Sequence, residues 1–237
     1  MLQHPNGSVS RSTRRGIKMS VSFGPGASGA GGAAGNGFIG TIGASWTHTA
    51  TGNFVIVGFS QFCSGQSPSG QTFTCTYDGV AMTPLARIDW DIAASMSLYY
   101  MFNPPGGAKT VACSAGNGGN TGRTIEGNSV SYSGVGGVMM AGSLTSTAGG
   151  VATLSGLSAS GNDKLFFSTV GWGGVSSPTY TERANAFNGT FPAQGISLGD
   201  LPGTATTASA SPNNNPYSSW GIAAVRLLTA DSFSLMF

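Results

Sequence analysis

Charge is the scarcest property of this chain. Of its 237 residues 8% are charged, against about a quarter in an ordinary soluble domain. A surface so short of ions has to be made of Ser, Thr, Asn and Gly, or be buried against neighbours. Intrinsic disorder, which needs low hydrophobicity together with high charge, is excluded by an apolar content of 40%, enough to fill a core in a chain of this length. Histidine is nearly absent: only His4 and His48 occur. A Ser-His triad would therefore have to use His48, and no Gly-x-Ser-x-Gly elbow accompanies it. Placed between Thr47 and Thr49, His48 reads as a strand residue at a sheet surface. Neither His-x-x-x-His nor Cys-x-x-Cys occurs, which argues against a transition-metal site, and no cofactor is expected. No apolar run approaches the length of a membrane span, so membrane insertion is not expected. The first residues lack the apolar middle of an export signal.

The 3 cysteines, Cys63, Cys75 and Cys113, are an odd number, so one at least stays free unless it bridges chains. Cys75 and Cys113 fall in alternating runs and read as small buried hydrophobes. A Cys63–Cys75 bridge is geometrically open, and nothing in the pattern requires an oxidising compartment.

What the chain does have is glycine, 39 of them, and apolar alternation at a period of two. The stretch from Thr72 to Pro105 carries most of the pattern. Phe73, Cys75 and Tyr77 alternate with threonines up to Asp78-Gly79, a pair suited to a type I′ turn because both central residues need positive φ. The chain runs out again through Val80 and Met82 and reaches a dense strand over Met96–Phe102, closed by Asn103-Pro104-Pro105-Gly106. Further strands are predicted over 20–23, 42–49, 53–62, 108–115, 124–133, 151–157, 165–172, 179–184, 195–198 and 220–228. Residues 53–62 are so continuously apolar that a central strand covered on both faces is expected. A flexible Gly/Ala linker is expected over 24–37. Within it Gly24-Pro25-Gly26-Ala27-Ser28-Gly29 has dinucleotide-loop spacing but no helix to follow, and that loop acts through a helix N-terminus. Brief helical turns are expected only over 88–94 and 232–237.

The fold class is therefore all-β, an antiparallel β-sandwich of jelly-roll type. Three parts are distinguished: a basic arm over 1–18, the sandwich over 19–230 with no linker to split it, and an apolar tail over 231–237. Tyr77, Val57, Leu98, Tyr132, Phe166 and Val225 are the expected core.

Candidate contact residues sit in the arm and the tail. Arg11, Arg14, Arg15 and Lys18 are four of the ten basic residues and have no acid among them. They form either an electrostatic anchor for an acidic partner or a solvated terminus, with Met19 as an alternative start. Phe233, Leu235, Met236 and Phe237 would form an apolar patch of the kind soluble monomers avoid. They dock on a partner or fold back on the sandwich. A second group is Asp89-Trp90-Asp91, which places two carboxylates on one strand face around an aromatic, the pattern of a sugar- or calcium-binding edge. Arg87 lies on the same face and would balance the carboxylates. With Trp172, Trp90 could stack on a sugar ring, with Tyr180 and Tyr217 as further candidates.

The segments SWTHTATGNFVIVGFS, TCTYDGVAMTPLARID, SMSLYYMFNPPGGAKTVACSA, NSVSYSGV and SSWGIAAVRLL together resemble a domain that recurs in tailed bacteriophages of actinobacteria, as a minor tail or other virion protein. The resemblance covers most of residues 20–228 and leaves the basic arm and the last nine residues outside. It implies a structural or adhesive sandwich, with no catalytic residues to carry over. The expectation is a minor tail subunit of a virion, assembled in the host cytoplasm with other virion proteins and with copies of itself, contributing to host-surface attachment. A capsid decoration protein and a carbohydrate-binding module taking a cell-surface glycan are the alternatives. Nucleic acid is not the expected partner, and catalysis is not the expected role.

Overall fold

A computed structural model of the chain describes residues 19–28, 34–37, 40–63, 68–118, 123–188, 194–213 and 218–234. They are almost entirely antiparallel strand. The first half supplies β1 (Ser22–Ser28), β2 (Ala34–Gly37), β3 (Gly40–Ala50), β4 (Phe54–Cys63), β5 (Thr72–Tyr77), β6 (Val80–Ala81), β7 (Thr83–Asp91), β8 (Ala94–Phe102), β9 (Gly107–Gly118) and β10 (Arg123–Ser133). The second supplies β11 (Gly137–Ser146), β12 (Ala152–Ser155), β13 (Lys164–Trp172), β14 (Val175–Ser176), β15 (Thr181–Asn188), β16 (Gln194–Pro202), β17 (Thr207–Pro212) and β18 (Trp220–Leu228), followed by a short helix α1 (Ala230–Ser234).

The two halves are built on one plan. In the first, one sheet runs β1-β10-β4-β8-β7 and a second runs β3-β9-β5-β6; in the second, the orders are β11-β18-β13-β16-β15 and β12-β17-β14. Replacing each strand by its counterpart in chain order converts one set into the other, apart from the small additions β2 and β6. This is the strand order of a jelly roll, two Greek keys folded into facing sheets. The modules are joined by only Gly134, Val135 and Gly136. Gly134 has φ 76°, and a Cβ there would stand 2.5 Å from the Ser20 carbonyl oxygen, so only glycine makes this connection.

The four sheets stack as layers with a core between each pair. The central core lies between the two large sheets, where Phe54, Ile56, Leu98 and Tyr132 of the first module meet Phe166, Leu198 and Val225 of the second. One outer core fills the first module, with Val55, Val57 and Phe59 against Trp46, Tyr77 and Val111. The other fills the second, with Leu165, Phe167 and Ile222 against Leu154, Tyr180 and Ala208. Strands β4 and β13 are consequently buried along both faces, which is why they read as near-continuous apolar runs. The large sheets approach so closely that a Cβ on Gly58 would come within 2.8 Å of Leu198. All six expected core residues are buried.

Buried polar groups pin the modules in register. Tyr132 donates to Asp200 at 3.0 Å, Asn128 to the Ile196 carbonyl at 3.0 Å, and Ser60 to Gln194 at 3.0 Å. Asp200 also accepts from Lys164 at 2.7 Å and Arg183 at 2.7 Å. Burial alone would raise its carboxyl, but these two cations outweigh burial and hold it below the ordinary carboxylate value.

The structure departs from the sequence expectations at definite places. The Gly/Ala stretch expected as a linker contributes the rest of β1 and all of β2, both paired with β10, because glycine and alanine leave a paired backbone unobstructed. Residues 88–94 form no helical turn: Ile88 and Trp90 point into the core from β7, and the chain turns at Ile92-Ala93 into β8. Strands β11, β14 and β17 have no counterpart among the expected strands, and β7 has one only in the strand face assigned to Arg87, Asp89 and Asp91. The Asp78-Gly79 turn has φ 53° and 77° at its two central residues, as a type I′ hairpin requires.

Candidate attachment pole and contact surfaces

β4 and β13 both start at one pole of the stack, and both ends of the described chain lie there. The Val21 amide donates to the Asn162 carbonyl at 2.9 Å, just before β13. At the other end, a Cβ on Gly136 would fall 2.4 Å from Ala230 Cα, placing α1 against the intermodule connection. Each module closes this pole with the same device. Asn53 precedes β4 and grips Val135 just beyond β10, donating from Nδ2 to its carbonyl at 2.6 Å and accepting its amide on Oδ1 at 3.2 Å. Asp163 precedes β13 and accepts the Thr229 amide just beyond β18 at 2.8 Å. Burial would raise the Asp163 carboxyl, but the Thr229 and Ser160 amides and the Ser160 and Ser232 hydroxyls outweigh it and hold it below its usual value. Thr229 then caps α1, its Oγ1 accepting the Ser232 amide at 3.2 Å. Beside α1 is a cleft of about 330 Å³ lined by Ser158, Ser160, Asp163, Arg226 and Ser232. Ala159 and Leu228 complete its lining, so the cleft is an apolar floor edged by serine hydroxyls and the Arg226 guanidinium.

Of the residues singled out as attachment elements, Arg11, Arg14, Arg15 and Lys18, with Leu235, Met236 and Phe237, lie outside the described residues. Phe233 belongs to α1.

The fold brings Trp90, Trp172 and Asp91 of the proposed sugar-binding group together but takes both indoles out of solvent. Trp90 and Trp172 are 1% and 2% exposed and pack edge to face at 5.1 Å in the central core. Stacking on a sugar needs a free ring face, and neither indole has one. Trp172 instead donates from Nε1 to Asp91 at 3.2 Å, so Asp91 serves the core. Asp89 is exposed and pairs with Arg87 at 2.9 Å, the balance that their shared strand face implied. Tyr180 is buried, its hydroxyl hydrogen-bonded to those of Thr169 and Ser197, and Tyr217 lies outside the described residues. Among the described residues, Ile92, Val151 and Phe187 are large apolar side chains that do face solvent toward the pole opposite the chain ends, 86%, 55% and 54% exposed.

No protein-family model, curated protein or solved structure matches the chain.

His48 is a core residue, 1% exposed, and not the surface residue that its threonine neighbours suggested. It shares a strand face with Trp46, and that face is the inner one. Trp46 donates from Nε1 to Ser129 Oγ at 2.8 Å, and Ser129 Oγ lies 2.9 Å from His48 Nδ1. The Ser129 hydroxyl thus accepts from tryptophan and makes one further hydrogen bond with Nδ1, whose direction follows the ring tautomer, while Nε2 has no hydrogen-bond partner among the described residues. Burial lowers the His48 pKa to about 4. A serine beside a histidine has the makings of a nucleophile and base, but with both sealed in the core their contact is a structural hydrogen bond. Among the described residues no three His, Cys, Asp or Glu side chains gather closely enough to hold a metal ion, and no helix is long and apolar enough to cross a membrane.

Proposed function

We propose that the chain is a structural subunit of a bacteriophage virion, a minor tail protein anchored through its basic arm and its C-terminal segment, with the double jelly roll as the exposed body. The observation that carries this reading is the meeting of both ends of the described chain at one pole beside Gly134–Gly136. Segments leaving from one place can engage a single neighbouring surface together, and two linked contacts bind more tightly than either alone. The likeness of its strand segments to virion domains and the recurrence of jelly rolls in capsid and lectin proteins support the same reading. The scarcity of charge suits a subunit packed among neighbours, including copies of itself. The opposite pole, with Ile92 and Phe187 exposed, is then the face turned toward a host surface. A capsid decoration protein would use the same anchoring and differ only in where it sits.

The test is to delete residues 1–18 and 231–237 separately and measure incorporation into particles. Each truncated chain is expected to fold and to incorporate poorly. Full incorporation of both would refute anchoring by the ends. Localisation of the subunit in a low-resolution map of intact particles separates tail from head.

A further inference from the structure

Cys75 on β5 and Cys113 on β9 are register partners in the outer sheet of the first module, with Sγ atoms 3.3 Å apart and both thiols free. Their place in the ladder decides what they can do. In an antiparallel pair, hydrogen-bonded and non-hydrogen-bonded positions alternate, and the latter are the narrow ones, with Cα atoms about 4.5 Å apart and side chains closer. The Asp78 amide donates to the Thr110 carbonyl at 2.8 Å, which makes that row a hydrogen-bonded one. Counting back along the ladder, Cys75 opposite Cys113 is a narrow row. A second observation agrees: the Cys75 carbonyl accepts the Met82 amide at 2.9 Å on the other side of β5, so its backbone faces away from β9. A disulfide needs Cα atoms about 4.4–6.8 Å apart, and this row meets that condition with both strands in place.

We propose that Cys75 and Cys113 are an oxidisable pair that closes into a cross-strand disulfide when the protein leaves a reducing compartment and meets a small peroxide. The reaction balances with hydrogen peroxide as the two-electron oxidant. The thiolate of one cysteine attacks a peroxide oxygen, the O–O bond breaks, one water leaves, and a sulfenic acid remains. The second sulfur attacks that sulfenic sulfur, the S–S bond forms as the S–O bond breaks, and a second water leaves. Two thiols and one peroxide give one disulfide and two waters. Burial, then the hydrogen bond to Cys75, pushes the Cys113 thiol well above its ordinary value, so closure is slow at neutral pH and quickens as pH rises. Met82 Sδ lies 3.4 Å from Cys75 Sγ and lines the site with a soft, apolar neighbour. The bridge would fasten β5 to β9 and enclose the excursion through β6, β7 and β8. The narrow row is at the short end of the disulfide range, so the bridge is expected to be one that a dithiol reopens.

The test uses the full chain, reduced and then exposed to hydrogen peroxide at several pH values. Thiol titration in denaturant is expected to fall from three to one, with the mass of two hydrogens lost, a linked peptide pair containing Cys75 and Cys113, and a thermal midpoint several degrees higher that dithiothreitol reverses. The variant Cys63→Ala, which keeps the pair, should fall from two thiols to none. An unchanged thiol count, a link through Cys63, sulfinic acid in place of the bridge, or a midpoint that does not rise would each overturn the proposal.

Discussion

Leu98 shows how much one side chain matters where two sheets share a core. It is 1% exposed and packs beside Gly58 against the second module. Leu98→Ala is expected to cost about 2–5 kcal/mol, as for other large-to-small changes in packed cores, measured by denaturant unfolding. The exposed Val80→Ala should cost far less. His48 gives a pH signature. Its folded pKa is about 4 against about 6.5 in an unfolded chain, so the unfolded state takes up the proton first. Stability is expected to fall as pH drops from about 6.5 to about 4, by something on the order of 3 kcal/mol, and not to fall further on this account below that. His48→Leu should flatten this window in denaturant titrations at pH 7 and pH 4.5. The depressed carboxyls of Asp163 and Asp200 act at lower pH, where their stabilisation is lost. The burial of His48 was not legible, because its alternation with Trp46 says that the two share a face and not which face is the inner one. The pairing of Cys75 with Cys113 was not legible either, because register between strands with three others between them in the chain is set by the sheet and not by local pattern.

At the level of the strand, the matched grips of Asn53 and Asp163 act where a strand would otherwise fray. Asn53→Ala leaves the Val135 amide and carbonyl short of partners, and Asp163→Ala does the same to the Thr229 amide. Each is expected to cost about 1–3 kcal/mol and to speed amide hydrogen exchange at Val135 or Thr229 while the distal pole keeps its protection. The strands that sequence reading located are those with strong alternation or two buried faces, such as β4, β8, β13 and β18. Those it missed have physical reasons. β11 is an edge strand whose residues, Gly137 apart, are half-buried or exposed, and β17 is built of Thr, Ala, Ser and a terminal Pro. In β7 the register shifts at Pro84–Ala86 and at Asp89–Asp91 break its pairing with β8, and its first half, Thr83–Arg87, has no buried side chain and so no alternation to identify it. The candidate sugar residues failed for a related reason: Trp90 and its flanking aspartates alternate correctly, but which face is the inner one depends on a second module whose packing no local spacing reveals.

For the whole molecule, the shared central core means that neither jelly roll is complete alone. Heating is expected to give one transition, with calorimetric and van't Hoff enthalpies in agreement; two resolved transitions would show that the modules are separately stable. The order of synthesis adds a constraint. β10 leaves the ribosome long before β18, so the sheet face bearing Phe54, Ile56, Leu98, Val130 and Tyr132 waits uncovered until most of the second module has been made. A nascent chain in that condition is open to aggregation and to capture by a holdase chaperone. Because the two large sheets share one strand order, the uncovered face of one chain resembles the surface it is waiting for. A fragment spanning residues 19–133 is therefore expected to pair with a second copy of itself through that face, sedimenting as a dimer or precipitating, and a soluble monomeric fragment would show that the face does not need its cover.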